Sequence, residues 1–330
     1  MFNKFLYVCN FAIFCIVIAI LIVYTNLGFS SKELGALSKI DITTWLICIS
    51  LYLLAHMGRL LRLMVIIIEH NRAFHSILQL YALLAQAGFV LPFKLGELFR
   101  ITELSHFFGS FKTGFSVVVV ERFFDAMMLL FLLLMVDFLG GVAEGGTPIF
   151  IPFLIILVLL MFIFYFFFSK TCQYFRCLVL SSSGSQRGVI ALQYLNFMEA
   201  IYTTFRNTIR GRPLLLIVLS LGIWCAEIYN MIYFLAALSE THEGIGVLSK
   251  IYGDILIGRV PSFESNIYIS VMFFILFVVT CIPLCLYVFQ RIRSIFSENF
   301  FKCSTKKRYA LSSIQFYYKN LKHTSRDDRL

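Results

Sequence analysis

The sequence predicts an all-α polytopic membrane protein with about six spanning helices and a re-entrant helical hairpin near residues 76–105. Of its 330 residues, 60% are hydrophobic and 14% are charged, whereas soluble domains are about 45–50% apolar and about 25% charged. The apolar residues lie in runs of about 20, the length of helix that crosses ~30 Å of hydrocarbon. Such continuous runs exclude an outer-membrane barrel, whose strands alternate apolar and polar residues in short segments.

Six apolar runs are long enough to cross a bilayer as helices. They are residues 5–25, 43–67, 113–137, 149–168, 213–238 and 267–289. The first run follows Lys4 and is not followed by the small-residue cleavage site of a signal peptide, so we expect it to remain as a helix. The runs define a predicted transmembrane domain over residues 1–290 and a basic tail over residues 291–330.

The charges of the connections predict the orientation of the chain. The connection 169–212 carries six Lys and Arg residues and one acid, and ten of the 28 Lys and Arg residues lie after Phe289. Positive charge beside membrane helices marks the cytoplasmic side. The connections 138–148 and 239–266 are neutral to acidic and should face outward. Six crossings then place both termini in the cytoplasm and make 169–212 a cytoplasmic loop.

The segment between the second and third runs is predicted to fold as a hairpin. Cations flank residues 68–112 on both sides, so both of its ends should be cytoplasmic. Its apolar part, residues 77–91, covers only ~22 Å as a helix, which is short for a crossing. Pro92 and Gly96 then break the helix. A re-entrant hairpin satisfies these constraints, and two short tilted crossings are the alternative.

Three charged residues, Glu121, Arg122 and Asp125, lie inside the otherwise apolar stretch from Phe115 to Val136. An ionised side chain near the bilayer centre costs roughly 2.5–3.5 kcal/mol, whereas an apolar residue returns only about 0.3–0.6 kcal/mol. Glu121 and Asp125 are four residues apart and share one helix face, and Arg122 can reach Asp125 at a spacing of three. A helix that begins near residue 113 places Asp125 about 18 Å from its start, close to the midplane.

These acids need cationic partners, and neighbouring segments supply them. The cations predicted to bind a phosphate headgroup are Lys94, Arg100, Arg59 and Arg62. The residues predicted to form a charge network or proton relay are Glu97, Glu121, Arg122, Asp125 and Glu227. Two interpretations remain open. The charges line a water-accessible cavity for a charged headgroup, or they pair with one another and only lock the helices together.

Several classes of site are not expected. The sequence contains no recognisable catalytic motif, so an enzyme is not predicted. The nine cysteines lie mostly within or beside apolar runs and the six histidines lack metal-ligand spacing, so neither a metal site nor a cofactor is predicted. The net charge of +10 does not indicate nucleic acid, because much of it lies in the tail, where anionic lipid headgroups attract it.

Two charged motifs and one later helical element carry a family resemblance. They are Pro92-x-Lys94-x-Gly96-Glu97-x-x-Arg100, Glu121-Arg122-x-x-Asp125 and Trp224-x-x-Glu227. Over about residues 40–240 the chain resembles the lysylphosphatidylglycerol synthase transmembrane (flippase-like) family. The resemblance implies a flippase-like helical bundle with re-entrant segments, in a family whose members handle aminoacylated phospholipids, hopanoids or polyprenyl-linked sugars. The soluble synthase domain is not encoded, so aminoacyl transfer is not expected.

The leading hypothesis is a translocase of a lipid or lipid-linked saccharide in the inner (cytoplasmic) membrane of a bacterium. A membrane-embedded transferase acting on a lipid phosphate, with Glu121 or Asp125 as base, is one alternative. A non-catalytic scaffold of an envelope glycolipid assembly complex is another. The expected partners are anionic or polyprenyl-linked membrane lipids, together with envelope-biosynthesis proteins or a second copy of the chain, and no nucleic acid.

Overall fold

The fold is built from α-helices. The structure, a computed structural model, describes residues 2–27, 40–70, 73–91, 95–138, 150–182, 186–239 and 267–290, together with positions 35, 37, 38 and 293. Nearly all of the residues in these ranges are helical, and the ranges contain no strand. The predicted all-α polytopic membrane fold is therefore confirmed.

The helices are numbered in chain order. They are α1 (Phe2–Leu27), α2 (Ile42–Ile67), α3 (Phe74–Val90), α4 (Leu95–Phe108), α5 (Phe111–Phe138), α6 (Phe150–Ser182), α7 (Gln186–Ile209), α8 (Pro213–Ser239) and α9 (Ile267–Gln290). Asp41 caps the start of α2, where its side chain accepts a hydrogen bond from the Thr43 N–H. Four helices are long and apolar enough to cross a membrane, namely α2, α6, α8 and α9. Helices α1 and α5 match the two other predicted runs in position, and their crossing stays a prediction.

Helix α5 lies at the centre of the bundle and contacts α4, α6, α7 and α8. Its buried residues Val117, Val120 and Phe124 belong to one large core cluster with residues of α2 and α3. Helix α2 packs along α8, where a β-carbon on Gly58 would lie 2.7 Å from Cγ1 of Ile223. The two helices therefore approach each other closely at this point.

The predicted helix break lies between α3 and α4. Helix α3 ends at Val90, and the Leu91 N–H donates to the carbonyl oxygen of Ala87 at 3.0 Å. The two helices pack against each other, and a β-carbon on Gly96 would lie 3.4 Å from Cα of Gly88. Pro92 and Lys94 lie outside the described residues. The hairpin is thus present, and its re-entrant placement in the membrane stays a prediction.

The chain reverses again between α4 and α5. Gly109 has a φ of 69°, a conformation that favours glycine, and its N–H donates to the carbonyl of His106. The next N–H, of Ser110, donates to the carbonyl of Ser105 at 3.0 Å, which completes a Schellman-type helix end. This tight reversal places α5 alongside α4 and brings the charged residues of the two helices next to each other.

The connection predicted over residues 169–212 is helical for almost its whole length. Helix α6 continues to Ser182, well past the predicted end of its apolar run, and α7 follows it. Tyr202 and Phe205 of α7 are buried against the bundle, and the Tyr202 hydroxyl donates to the carbonyl of Tyr165 at 2.8 Å. Buried aromatic surface on α7 therefore packs it onto α5 and α6.

The crossing of α4 and α5 generates a stability prediction. A β-carbon on Gly114 would lie 2.7 Å from Cα of Ser105, and main-chain atoms cannot move aside as a flexible side chain can. We expect Gly114→Ala to destabilise the protein by about 1–3 kcal/mol, the usual cost of overpacking. The free energy of unfolding would be measured by titration with SDS in mixed micelles.

The matched control is Gly222→Ala, because an added β-carbon there meets nothing within 4 Å. Alanine favours a helix over glycine by roughly 0.5–1 kcal/mol, so this variant should be as stable as the wild type or slightly more stable. Equal stability of the Gly114→Ala and Gly222→Ala proteins would contradict the proposed tight crossing.

Candidate functional site

Helix α2 brings two arginines into the bundle. His56, Arg59 and Arg62 recur every three residues and therefore lie along one side of the helix. The guanidinium of Arg62 forms a two-pronged contact with Asp125 of α5, with Nη1–Oδ1 and Nη2–Oδ2 distances of 2.6 Å and 3.2 Å. Nη1 also donates to Oγ of Ser220 in α8 at 3.0 Å. The Arg62 side chain is only 3% exposed, so this pair ties α2, α5 and α8 together in the interior.

The α3–α4 hairpin contributes a second pair. Nη2 of Arg100 lies 2.6 Å from Oε2 of Glu121, whose side chain is 1% exposed. The reversal at Gly109 places α4 and α5 alongside each other, so Arg100 of α4 can reach Glu121 of α5. An unpaired carboxylate at this depth would be very costly, so Arg100 is the counter-charge on which Glu121 depends.

Arg122 joins two acids at the edge of the site. Its Nη2 lies 2.9 Å from Oε1 of Glu97, and its Nη1 lies 3.3 Å from Oδ2 of Asp125. The second contact is the one expected for residues three apart on a helix. The Arg122 side chain is 47% exposed, which makes it the most accessible of the paired arginines. On the other side, Arg59 pairs with Glu227 of α8.

These residues surround a cavity of about 350 Å³. Its charged lining consists of Arg59, Arg62, Arg100, Arg122, Glu97 and Asp125. Tyr81, Leu84 and Phe89 of α3 and Trp224 of α8 form much of the remaining wall. The volume falls within the usual range of ligand pockets, about 300–1,000 Å³. Guanidinium groups bind phosphate oxygens in a fixed, two-pronged geometry, so the lining is suited to a phosphate group.

Among the described residues, the positive and negative charges of the site balance. Four arginines face four carboxylates, because Glu121 and Glu227 pair with the cavity arginines from behind the lining. Four helices, α2, α4, α5 and α8, each contribute at least one charge. The network therefore needs all four helices in their observed positions.

Most of the residues singled out in the sequence meet at this cavity. Arg59, Arg62, Arg100, Glu97, Arg122 and Asp125 line it, and Glu121 and Glu227 lie behind it. Gly96 also lines the cavity, whereas Pro92 and Lys94 lie outside the described residues. The headgroup-binding and relay roles of these residues stay predictions.

Sequence reasoning did not single out three neutral polar residues of the site. They are His56, Tyr81 and Ser220. Nδ1 of His56 is 2.7 Å from the Tyr81 hydroxyl oxygen. The spacing of His56 three residues before Arg59 was the available signal, because it places the imidazole on the charged side of α2.

The fold and the site define an integral membrane protein with a charged cavity among its helices. The family model for the lysylphosphatidylglycerol synthase TM region matches residues 10–257, and the chain belongs to this family. Comparison with curated proteins and with solved structures found no match. The family membership indicates a membrane function related to lipids.

The buried pair of Arg62 and Asp125 generates a second prediction. Arg62→Met removes the two-pronged partner of the buried Asp125 and leaves it the longer contact with Arg122, so we expect a loss of about 3–5 kcal/mol in the free energy of unfolding. The double variant Arg62→Met/Asp125→Leu should recover most of this loss, because apolar replacements of a whole buried pair are often neutral. SDS titration in mixed micelles would measure both.

Arg206→Met serves as the control, because Arg206 is exposed on α7. Its effect should stay within about 0.5 kcal/mol, as is usual for surface substitutions. A double variant no more stable than Arg62→Met alone would show that the pair is not the source of the loss.

Proposed function

We propose that the protein translocates a lipid or lipid-linked saccharide, holding the anionic headgroup in the charged cavity while the apolar chains remain in the membrane. The observation that carries this proposal is a cavity of about 350 Å³ lined by four arginines among apolar helices. Ionisable residues within a membrane are costly and commonly mark substrate pathways. Membership of a family of membrane proteins with a lipid-related function supports the same conclusion.

The four arginines differ in what they offer a phosphate group. Arg62 is almost fully buried, and its Nη atoms already bind Asp125 and Ser220. Within the proposal, Arg62 therefore positions Asp125, although the sequence predicted it as a headgroup ligand. Arg59, Arg100 and Arg122 retain exposed surface and are the proposed phosphate ligands. Lys94 remains a predicted ligand outside the described residues.

In this proposal, a phosphate that binds an arginine of the cavity replaces the carboxylate with which that arginine is paired. A phosphate that binds Arg100 draws this arginine away from Glu121, which is almost fully buried. A bare buried carboxylate there is unfavourable, so Glu121 needs another counter-charge when Arg100 turns to the phosphate. The proposal assigns Glu97, Glu121, Arg122, Asp125 and Glu227 to this charge network, with a proton relay as the alternative role.

We also propose how the chain is oriented in the membrane. The α3–α4 hairpin enters the membrane from the cytoplasmic side and returns to it, and both termini lie in the cytoplasm. Positive charge in the connection 169–212 and in the tail supports this arrangement. The proposed location is the inner membrane of a bacterium, and the proposed partners are anionic or polyprenyl-linked lipids.

Transport in liposomes tests the proposal. The purified full chain would be reconstituted with headgroup-labelled fluorescent phosphatidylglycerol or with a labelled polyprenyl phosphate, and movement would be followed with an external quencher. We expect the protein to accelerate crossing of at least one lipid. The double variant Arg100→Gln/Glu121→Gln should slow it by about tenfold or more, since a hydrogen bond to a charged group contributes about 1.5–3 kcal/mol.

The double variant removes a proposed phosphate ligand without leaving an unpaired buried charge, so loss of folding does not confuse the result. Arg206→Gln is the matched control, because it removes one exposed positive charge away from the cavity lining and should transport at the wild-type rate. Wild-type rates equal to those of protein-free liposomes for both lipids would overturn the proposed translocase.

A further inference from the structure

A second cavity lies beside the charged one. It is a cleft of about 80 Å³ between α2, α3 and α9. Leu53, Met57, Ala82, Leu276 and Val279 form much of its wall. Such a lining offers dispersion contacts to hydrocarbon and has no charged group for a phosphate.

Two residues line both cavities and form the boundary between them. They are His56 and Tyr81, joined by the 2.7 Å contact between Nδ1 and the hydroxyl oxygen. His56 is only 8% exposed, and its Nε2 has no hydrogen-bond partner among the described residues. The buried hydroxyl of Tyr52, on the cleft side, also lacks a partner within that part of the chain. Unsatisfied buried polar groups are unfavourable, so an oxygen-bearing ligand at this boundary would stabilise both.

We infer that the two cavities are two halves of one binding site for a phosphate-bearing lipid. One apolar chain lies in the cleft between α2, α3 and α9. The phosphate held by the cavity arginines also accepts a hydrogen bond from the Nε2–H of His56, whose Nδ1 accepts from the Tyr81 hydroxyl. This inference rests on the proposed function for its headgroup half. The occupant of the cleft is the lipid's own chain, because a headgroup bound in the charged cavity is connected to its chain across the shared His56–Tyr81 boundary.

The two halves contribute differently to binding. Lipid chains in the bilayer are already as apolar as the cleft, so entering it gains little free energy from leaving water. The cleft therefore sets the position of the chain, whereas the arginines and His56 supply polar attraction. A readout of chain position is consequently more informative than a readout of affinity.

Photocrosslinking of a lipid chain tests this inference. The full chain would be reconstituted separately with phosphatidylglycerol and with a polyprenyl phosphate, each carrying a diazirine in its apolar chain. After irradiation, mass spectrometry of peptides would locate the adducts. We expect adducts concentrated on cleft residues such as Met57, Leu276 and Val279 with at least one probe, and the responding probe identifies the class of lipid.

Two adjacent valines of α9 provide a matched pair of variants. Val279 lines the cleft and Val278 does not, and both have side chains that are about half exposed. Val279→Trp should block the cleft and largely remove the adducts there, whereas Val278→Trp should leave them unchanged. His56→Phe, which keeps a ring but removes both nitrogens, should lower the adduct yield by about tenfold, as expected for loss of a hydrogen bond to a charged phosphate.

Adducts spread evenly over the exposed residues of α6 and α9, with equal patterns in the two valine variants, would overturn the inference. This outcome is distinct from failure of the proposed function, because crosslinking reports binding and the liposome assay reports transport. Cleft adducts without transport would support the binding site and reject the translocase. Transport without cleft adducts would support the translocase and reject the binding site in the cleft.

Discussion

The rest of the structure depends on the pairing of arginines with carboxylates inside the bundle. Each unpaired charge would be strongly unfavourable in this environment, so the helices that carry the charges must meet. Arg62 and Asp125 are 63 residues apart in sequence, yet their contact joins α2 to α5, and Ser220 adds α8. In the same way, Arg59 and Glu227 join α2 to α8, and Arg100 and Glu121 join α4 to α5.

Close backbone packing makes this pairing geometrically feasible. Gly96 allows α4 to approach α3, and Gly114 allows α5 to approach Ser105 of α4. Helix α4 is thereby held between its two neighbours, and Arg100 reaches Glu121 across a short distance. Steric fit and electrostatics therefore support each other, since a wider crossing would separate the charges and reduce their attraction.

The balance of described charges around the cavity bears on the proposed translocation. A strongly positive cavity would hold a phosphate firmly, and a transport site must also release its substrate. In the proposed function, a headgroup would compete with Glu97, Glu121 and Asp125 for the arginines, so binding and release would involve similar interactions. The apolar cleft beyond His56 and Tyr81 is compatible with this proposal, because a lipid chain would enter it with little change in free energy.

The sequence by itself determined the helical segments and the local geometry within each of them. The runs predicted at 43–67 and 213–238 agree with α2 and α8 to within one residue, and the run predicted at 267–289 is helical throughout. The contact of Arg122 with Asp125 also follows from helical spacing alone. The continuation of α6 to Ser182 was not predicted, since its second half is less uniformly apolar.

Only the tertiary structure decided which charges meet. The partners of Arg59, Arg62 and Arg100 lie on other helices, and their distances depend on crossings that hydropathy does not encode. The contribution of Tyr81 was equally hidden, because a neutral polar residue in an apolar run carries little signal by itself. The spacing of side chains is fixed within one helix, so the sequence reveals it. A cavity forms only where several helices pack together, so only the tertiary structure reveals it.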